Sequence, residues 1–268
     1  MTDRSGRVTG QDISFFQEQG YLRYEGFFSA GEMSELREAI DRAIGDNRAR
    51  IRGAEGGGRV SEEYERVFNQ MVNLWTDHPA AKTFAFHADL AEAGRRLSRC
   101  RHVRIYHDHA MVKPPGQSSR ATNWHQDAPY WRMDPVGSFS AWIAVDDVDV
   151  DNGCLHFVPG SHRYGRQEPI SLTVEGESII DRLQEQGFSV AEPVSMEMAA
   201  GGVTFHHGCT FHYAGPNGTD HPRRAFAIIY IPDYVTFTGE KDAAGAQDEM
   251  TPGGPWDHPL HPILAGAP

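Results

Sequence analysis

Paired cysteines, a basic surplus and long apolar runs are all missing from this sequence. Only three cysteines, Cys100, Cys154 and Cys209, occur among 268 residues. They lie far apart, form no C-x-x-C pair and offer no disulfide framework. Because such cysteine usage is typical of a reducing compartment, we expect a cytoplasmic protein.

The charge balance is acidic, with 25 Lys and Arg against 37 Asp and Glu and a formal net charge of -12. A nucleic-acid-binding protein needs a basic face, so the composition argues against that class. No apolar run reaches the roughly 18 residues of a membrane helix, and the first residues lack the apolar segment of a secretion signal. We expect a small-molecule partner, with neither nucleic acid nor a membrane involved. Monomer and homodimer both stay open.

Helix signals dominate the first hundred residues. Ser29 followed by Glu32 has the pattern of a capping box at a helix start. Residues 21–28 are typical of a short strand and turn. Helical patterns cover residues 11–20, 29–45, 61–75 and 79–98.

Beyond Cys100 the pattern changes to short apolar runs separated by Gly, Pro and Asp, which indicates many short strands. Helices followed by strands favour a mainly β fold with flanking α-helices, in which N-terminal helices pack on a double-sheet jelly roll. A short helix is expected within residues 176–188. The predicted organisation is a single domain over 1–268, with a helical cover at 1–100, a core at 101–235 that has an insertion near 165–190, and an irregular tail at 236–268.

The segment His125-Gln126-Asp127 carries the first chemical signal. On an extended strand, residues two apart point to the same face, so an imidazole and a carboxylate would converge. They are two of the three ligands of a 2-His-1-carboxylate Fe(II) site. A second such pair, His87 and Asp89, lies among helix formers, where side chains two apart diverge by about 200°. The pair at His125 is therefore preferred.

The third ligand is expected to be a distant histidine on another strand, and His206, His207 and His212 are available. Arg223 follows His212 by eleven residues and opens an apolar strand. Burying its guanidinium is costly unless it meets an anion, and its fork suits a carboxylate. Since neighbouring strand residues face opposite ways, only one of Arg223 and Arg224 can point inward; Arg223 is preferred, and Arg224 is the alternative. An iron site with an inward arginine predicts a dicarboxylate co-substrate that chelates the metal.

These motifs together resemble the phytanoyl-CoA dioxygenase (PhyH) family of Fe(II)/2-oxoglutarate-dependent oxygenases, bacterial members in particular. The matching segments are 124–127, 141–148, 152–162 and 212–223, and the resemblance extends over nearly the whole chain. It implies a double-stranded β-helix (jelly-roll, cupin-like) core and the cofactors Fe(II), 2-oxoglutarate and O2. It also implies hydroxylation of an unactivated C–H bond with release of succinate and CO2. Desaturation, cyclisation and epimerisation are alternatives with the same cofactors.

Carried over residue by residue, the resemblance implies His125, Asp127 and His212 as iron ligands, with His207 as the fallback. Arg223 would bind the C5 carboxylate of 2-oxoglutarate. Further co-substrate contacts are implied for Trp142, Met111 and, on a looser match, Gln70. In the related halogenases a small residue replaces the carboxylate ligand, so the presence of Asp127 favours hydroxylation.

One departure from the family pattern is Ala214, where many members have a serine that helps to hold the C5 carboxylate. Its place would be taken by a water or by the hydroxyl of Thr210 or Tyr213. A less complete hold on the carboxylate is the alternative.

Tyr130 and Trp131 follow the motif and are predicted to contact substrate. Trp131 is expected at the mouth of the cavity, where simple packing at the rim is the alternative. His109 shares a strand face with His107 and has either a substrate-facing or a structural role. A cupin-type His-x-His motif would need a glutamate four residues on, where this sequence has Lys113.

No motif encodes the substrate, and a small secondary metabolite or its precursor is the expectation. Its pocket is predicted to be lined by loops 46–60, 113–121 and 165–190. Three cations would attract an anionic substrate: Lys113, Arg120 and Arg132. The rival functions are a different metal enzyme, such as a cupin-type dioxygenase or a hydrolase, and a catalytically silent jelly-roll binding protein.

Overall fold

The computed structural model describes residues 8–46, 69–116, 119–169, 179–240 and 250–267. Its helices are α1 (Gly10–Gln19), α2 (Ala30–Asp46), α3 (Pro79–Ala85), α4 (Ala88–Ser98) and α5 (Ile179–Glu185). Its strands are β1 (Tyr21–Tyr24), β2 (Asn69–Val72), β3 (His102–Lys113), β4 (Thr122–His125), β5 (Met133–Asp134), β6 (Phe139–Ala144), β7 (Leu155–Phe157), β8 (Val194–Ser195), β9 (Val203–His207), β10 (His212–Ala214), β11 (Arg223–Pro232), β12 (Thr236–Phe237) and β13 (Ile263–Gly266).

The strands form two main sheets. The larger has seven strands in the order β1-β9-β6-β11-β3-β13, with β2 also paired to β3, and the smaller has the order β4-β10-β7-β8. A two-stranded ribbon joins β12 to β5. These pairings are antiparallel, so the prediction of a mainly β, double-sheet jelly roll with flanking helices is confirmed.

The larger sheet is buried on both faces, as its strand β6 illustrates. Ala141 and Ile143 belong to a core shared with the N-terminal helices, whereas Trp142 and Ala144 belong to a core shared with the smaller sheet. This division follows from the two-residue period of a strand. Leu36 of α2 and other fully buried side chains in the helical core each contribute about 1.5–3 kcal/mol relative to exposure. The space between the sheets is where the polar side chains of the motifs meet.

Local capping residues define the start of α2 and the end of α1. Ser29 N and Oγ both donate to the Glu32 carboxylate at 2.8 and 2.7 Å, which confirms the capping box of α2. Helix α1 ends at Gly20 with φ +78°, and a Cβ there would lie 2.4 Å from the His162 ring. A glycine is therefore required at this helix end.

Two of the helix predictions are wrong in part. Asn69–Val72, expected within a helix over 61–75, forms β2 and pairs with β3; residues 61–68 lie outside the described ranges. The predicted helix over 79–98 is broken into α3 and α4 at Phe86 and His87. For residues 69–72 the pairing with β3 outweighs helix propensity.

His87 is the N-terminal cap of a helix. Its Nδ1 accepts a hydrogen bond from Leu90 N at 3.4 Å at the start of α4. This capping role was not part of the expectation for His87, which placed it within a continuous helix. The short helix expected within 176–188 is confirmed by α5.

The tail is not irregular throughout, which corrects the prediction for 236–268. Strand β13 pairs with β3 at one edge of the larger sheet, and Trp256 and His261 are buried. Apolar burial therefore anchors a Gly- and Pro-rich segment that has little local propensity of its own. No helix in the described ranges combines the length and the apolar character needed to cross a membrane.

Candidate metal centre

Strand pairing brings two distant histidines together. His125 of β4 lies directly opposite His212 of β10, and their ring centroids are 4.0 Å apart. Each Nδ1 faces a backbone carbonyl, Asn123 O at 2.7 Å and Thr210 O at 3.0 Å. A carbonyl only accepts hydrogen bonds, so Nδ1 carries the proton and Nε2 presents a lone pair. Both rings are therefore set as nitrogen ligands.

Asp127 reaches the same point, although not along a strand. Strand β4 ends at His125, and Asp127, with φ -78° and ψ -38°, precedes a short 3-10 turn over Ala128–Tyr130. Its Oδ1 is 3.6 Å from His125 Nε2 and 3.5 Å from His212 Nε2. The expectation that strand alternation aligns His125 with Asp127 is wrong in its mechanism, because a turn supplies the approach.

The turn is held against the connection between β9 and β10. Ala128 N donates to Gly208 O at 2.8 Å, and the buried Gln126 amide donates to Cys209 O at 2.8 Å. Gln126, which lies between the expected ligands His125 and Asp127, thus links this turn to the segment that precedes His212.

The donor set fits a divalent iron. One ligand atom from each of His125, Asp127 and His212 lies within 4.8 Å of the other two, and the described residues contain no second cluster of this kind. Two neutral nitrogens and one carboxylate oxygen leave positions open on a six-coordinate ion, as in the facial triad of non-heme Fe(II) oxygenases.

The protonation states match this use. Burial lowers the pKa of His212 to about 3, and burial also lowers the pKa of His125. Burial alone would raise the pKa of Asp127, but its electrostatic interaction with the His212 ring and a hydrogen bond from His206 hold it well below its usual value. The site therefore combines an anion with two neutral imidazoles, as metal binding requires.

Arg223 is a buried cation at the start of β11. It is 3% exposed, its guanidinium carbon lies 5.6 Å from the Trp142 ring centroid, and its Nε reaches Asn152 O at 3.5 Å. No carboxylate in the described ranges forms an ion pair with it. Burial lowers the pKa of Arg223 to about 10, so the group stays charged at neutral pH. Because a buried unpaired charge is costly, this site calls for an anionic ligand.

The residues that follow Arg223 on the same face of β11 are the small Ala225 and Ala227. Ala225 pairs with Met111 on one side and Ala144 on the other, and Ala227 pairs with His109 and Trp142. Met111 and Trp142 thus lie beside the expected co-substrate path. Gln70 is the register partner of Met111, and its side chain lies outside the described part of the chain.

The expected substrate contacts differ in their surroundings. Tyr130 is half-buried and lines a small pocket with His125. Trp131, predicted at the mouth, is 8% exposed and packs so tightly on Gly208 that a Cβ there would lie 2.5 Å from its ring. His109 is half-buried, and burial lowers its pKa to about 3. Trp131 is therefore a packing residue of the core in this structure.

The cations expected to attract an anionic substrate are engaged elsewhere. Lys113 is 1% exposed, and its Nζ donates to Arg120 O at 2.7 Å. Arg132 forms an ion pair with Glu240 at 3.0 Å. The prediction of a surface that steers anions through these residues is wrong for Lys113 and Arg132.

Two of the expected stand-ins for the family serine also have other contacts. The Thr210 hydroxyl donates to Gly20 O at 2.7 Å. Tyr213 stacks on Trp124 at 5.4 Å and, next to Ala214 on the same strand, faces the opposite way. Neither hydroxyl is turned to the face that holds Ala214.

Sequence reasoning missed two residues at Asp127. Ser140 Oγ donates to Asp127 Oδ2 at 3.2 Å, and His206 Nε2 lies 3.3 Å from the same oxygen. His207, the predicted fallback ligand, instead accepts a hydrogen bond from Cys209 N at 3.0 Å and lies outside the cluster. Strand alternation in β9 separates His206 from His207, but only the sheet register shows which one faces Asp127.

Comparison with known proteins agrees with this geometry. A family model described as phytanoyl-CoA dioxygenase (PhyH) matches residues 16–225. A phytanoyl-CoA dioxygenase of Arabidopsis thaliana is 24% identical, over 85% of this chain and 90% of that protein. The crystal structure of a non-heme α-ketoglutarate-dependent carbocyclase from nogalamycin biosynthesis superposes with a TM-score of 0.77 at 25% identity, covering 97% of this chain and 98% of the other.

A second solved structure carries the cofactors. The epimerase of the same biosynthesis, in complex with Fe3+, α-ketoglutarate and nogalamycin RO, has a TM-score of 0.74 at 25% identity and covers 95% of this chain and 98% of the other. α-Ketoglutarate is another name for 2-oxoglutarate, so the predicted iron and co-substrate are confirmed. The chain belongs to the phytanoyl-CoA dioxygenase family and is an iron- and 2-oxoglutarate-dependent oxygenase.

Proposed function

We propose that the protein hydroxylates an unactivated C–H bond of a small organic molecule, with O2 and 2-oxoglutarate converted to the new hydroxyl, succinate and CO2. The observation that carries this proposal is the His125–Asp127–His212 cluster, with the buried Arg223 on the neighbouring sheet and without a carboxylate partner among described residues. Bound Fe(II) and 2-oxoglutarate supply the oxygen activation. The protein holds the reactants in place and excludes water.

The roles of the residues follow from their contacts. The Nε2 atoms of His125 and His212 and the Oδ1 of Asp127 hold the iron. Arg223 binds the distal carboxylate of the co-substrate through its planar fork, with Trp142 beneath it.

Lys113 is a buried amine beside Arg223 at this end of the site. It is the register partner of Arg223 on β3 and is 1% exposed. Burial, and then the charge of Arg223, lower the pKa of Lys113 well below its usual value, so Arg223 is the cation that we assign to the co-substrate where Ala214 offers no hydroxyl. Met111 and, on the sheet beside it, Gln70 complete the co-substrate end.

Cyclisation or epimerisation of the substrate is the second candidate outcome. It is favoured by the likeness to the carbocyclase and the epimerase, each 25% identical over most of its length. The outcomes differ in product mass, because hydroxylation adds one oxygen, ring closure removes two hydrogens, and epimerisation leaves the mass unchanged.

The substrate class that fits best is a secondary metabolite or its precursor. Tyr130 is half-buried beside His125 and offers an aromatic side chain to such a molecule. We further propose that residues 1–268 work as one cytoplasmic dioxygenase domain, with Trp131 shaping the pocket from within the core and His109 facing it.

The test is 2-oxoglutarate turnover with Fe(II) and O2, measured as succinate release in the presence of a metabolite library. His125→Ala removes one of three ligands, and we expect it to abolish both iron binding and succinate release. The exposed His221 has no part in the cluster, so His221→Ala serves as the control. Undiminished 2-oxoglutarate consumption by His125→Ala would refute the assignment. Absence of succinate release by the wild-type chain would favour a binding protein or another metal enzyme.

A further inference from the structure

The two oxygens of Asp127 have different surroundings. Oδ1 lies within 3.6 Å of the Nε2 atoms of both His125 and His212. Oδ2 points to the larger sheet, where Ser140 Oγ and His206 Nε2 approach it at 3.2 and 3.3 Å. One oxygen thus faces the expected iron position and the other faces two protein groups.

Sheet register places both of those groups. Ser140 of β6 lies directly opposite His206 of β9 in an antiparallel pair, and Tyr21 of β1 lies on the other side of His206. Phe157 and His212 pack on the His206 ring, with centroids 5.1 and 4.8 Å away. The imidazole therefore has one orientation, which is set by neighbours on both sheets.

The contacts of His206 also define its tautomer. The ring is 3% exposed, and its Nδ1 has no hydrogen-bond partner among the residues described. Its hydrogen bond is to Asp127 Oδ2, and an ionised carboxylate only accepts, so His206 Nε2 carries the proton and donates. A side chain serving only to fill this space would be cheaper without a buried unpaired nitrogen. The contact with Asp127 is what distinguishes histidine here from an apolar residue.

We infer that His206, together with Ser140, is a positioning residue that orients Asp127 so that the carboxylate binds iron through Oδ1 alone. The inference rests on the proposed iron site. A carboxylate that bound through both oxygens would occupy a further coordination position, which the co-substrate or O2 needs. With Oδ2 held in two hydrogen bonds, Asp127 keeps that position open.

His206 is not a fourth ligand. Its Nε2 faces the oxygen of Asp127 that points away from His125 and His212, and the cluster of converging ligand atoms does not include it. Its proton-bearing Nε2 also lacks the lone pair that a metal requires.

The test compares variants of the chain with Co(II) in place of Fe(II). Anaerobic calorimetric titration measures the affinity for Co(II), and the absorption spectrum of bound Co(II) reports its coordination. We expect His206→Leu to bind Co(II) about 10- to 100-fold more weakly than wild type and to show an altered Co(II) spectrum. His206→Gln retains an N–H donor of similar reach and should return both affinity and spectrum close to wild type. His207→Asn, at the neighbouring position outside the cluster, is the matched control and should change neither.

If His206 served only in folding, both His206→Leu and His206→Gln would be less stable, and the two variants would bind Co(II) with the same affinity. Wild-type affinity and spectrum in His206→Leu, or equal losses in Leu and Gln, would overturn the inference. If His206→Leu does not fold, Ser140→Ala decides instead: we expect a severalfold loss of Co(II) affinity, and no loss would overturn the inference. Failure of the wild-type chain to bind Co(II) or Fe(II) would refute the proposed function itself.

Discussion

Arg223 and Arg224 are neighbours in the chain and face opposite environments. Arg224 forms ion pairs with Asp41 and Asp146 at 2.8 and 3.1 Å, whereas Arg223 is buried without such a partner in the part of the chain described. The two-residue period of β11 separates them. A carboxylate of the co-substrate would therefore stabilise the buried charge of Arg223, whereas Arg224 already has its partners.

Replacement of Arg223 tests this. We expect Arg223→Met to weaken 2-oxoglutarate binding by about 2–5 kcal/mol, because a buried charge-assisted pair is lost. The measurement is KM for 2-oxoglutarate at saturating Fe(II). Arg224→Met should leave this KM unchanged while it removes a partly exposed ion pair. A wild-type KM in Arg223→Met would place the co-substrate elsewhere.

At the scale of elements, the approach of β2 to β3 depends on one buried carboxylate. Asp108 is fully buried in β3 and accepts hydrogen bonds from Leu74 N and Trp75 N, both at 2.8 Å. Its own carbonyl accepts from Asn73 N at 3.1 Å. These contacts explain why a segment with helical pattern becomes a strand followed by a short 3-10 turn.

The same carboxylate predicts a pH dependence of stability. Burial raises the pKa of Asp108 to about 7 despite its two backbone donors. A raised pKa means that the folded state binds a proton more tightly than the unfolded state, for which the pKa is about 3.9. The stabilising contribution is therefore complete below that value and is lost as the pH rises through about 7.

We expect the free energy of unfolding of wild type, relative to Asp108→Asn, to fall by about 1.4 kcal/mol per pH unit between roughly pH 5 and 7. Urea denaturation of metal-free protein measures the difference, and the variant shares every other titrating group. A difference that does not change with pH would show that Asp108 keeps an ordinary pKa in the folded state.

At the scale of the molecule, segments far apart in sequence close the site. The C-terminal Trp256 is 1% exposed and packs edge-on against Tyr106 of β3 and Phe237 of β12 at 5.3 and 5.4 Å. It belongs to the same core as Trp142, which lies against Arg223, and Ala227. The tail therefore stabilises the space between the sheets.

Trp256→Ala should lower the free energy of unfolding by about 3–5 kcal/mol, because it leaves a large cavity in this core. Urea denaturation with Val150→Ala as control measures the effect; Val150 is 51% exposed, and its truncation should change stability by no more than about 0.5 kcal/mol. A loss of under about 1 kcal/mol in Trp256→Ala would show that the tail is dispensable for folding.

Features that depend on nearby residues and on donor chemistry could be predicted from the sequence. The capping box at Ser29, the jelly-roll class, the choice of His125, Asp127 and His212, and the inward face of Arg223 all follow from spacing, periodicity and resemblance. Helix capping and the alternation of side chains along a strand both depend on residues that are close together in the sequence.

Tertiary structure alone decided which distant residues meet. Asp127 reaches the site by a turn tied to Gly208. Strand β2 pairs with β3 in place of a predicted helix, and Asp108 of β3 holds the turn that follows it. Asp127 and His206 are 79 positions apart, and a shift of one residue in the register of β9 would have put His207 there instead. Register is set by the packing of both sheets together, and no local pattern in the sequence records it.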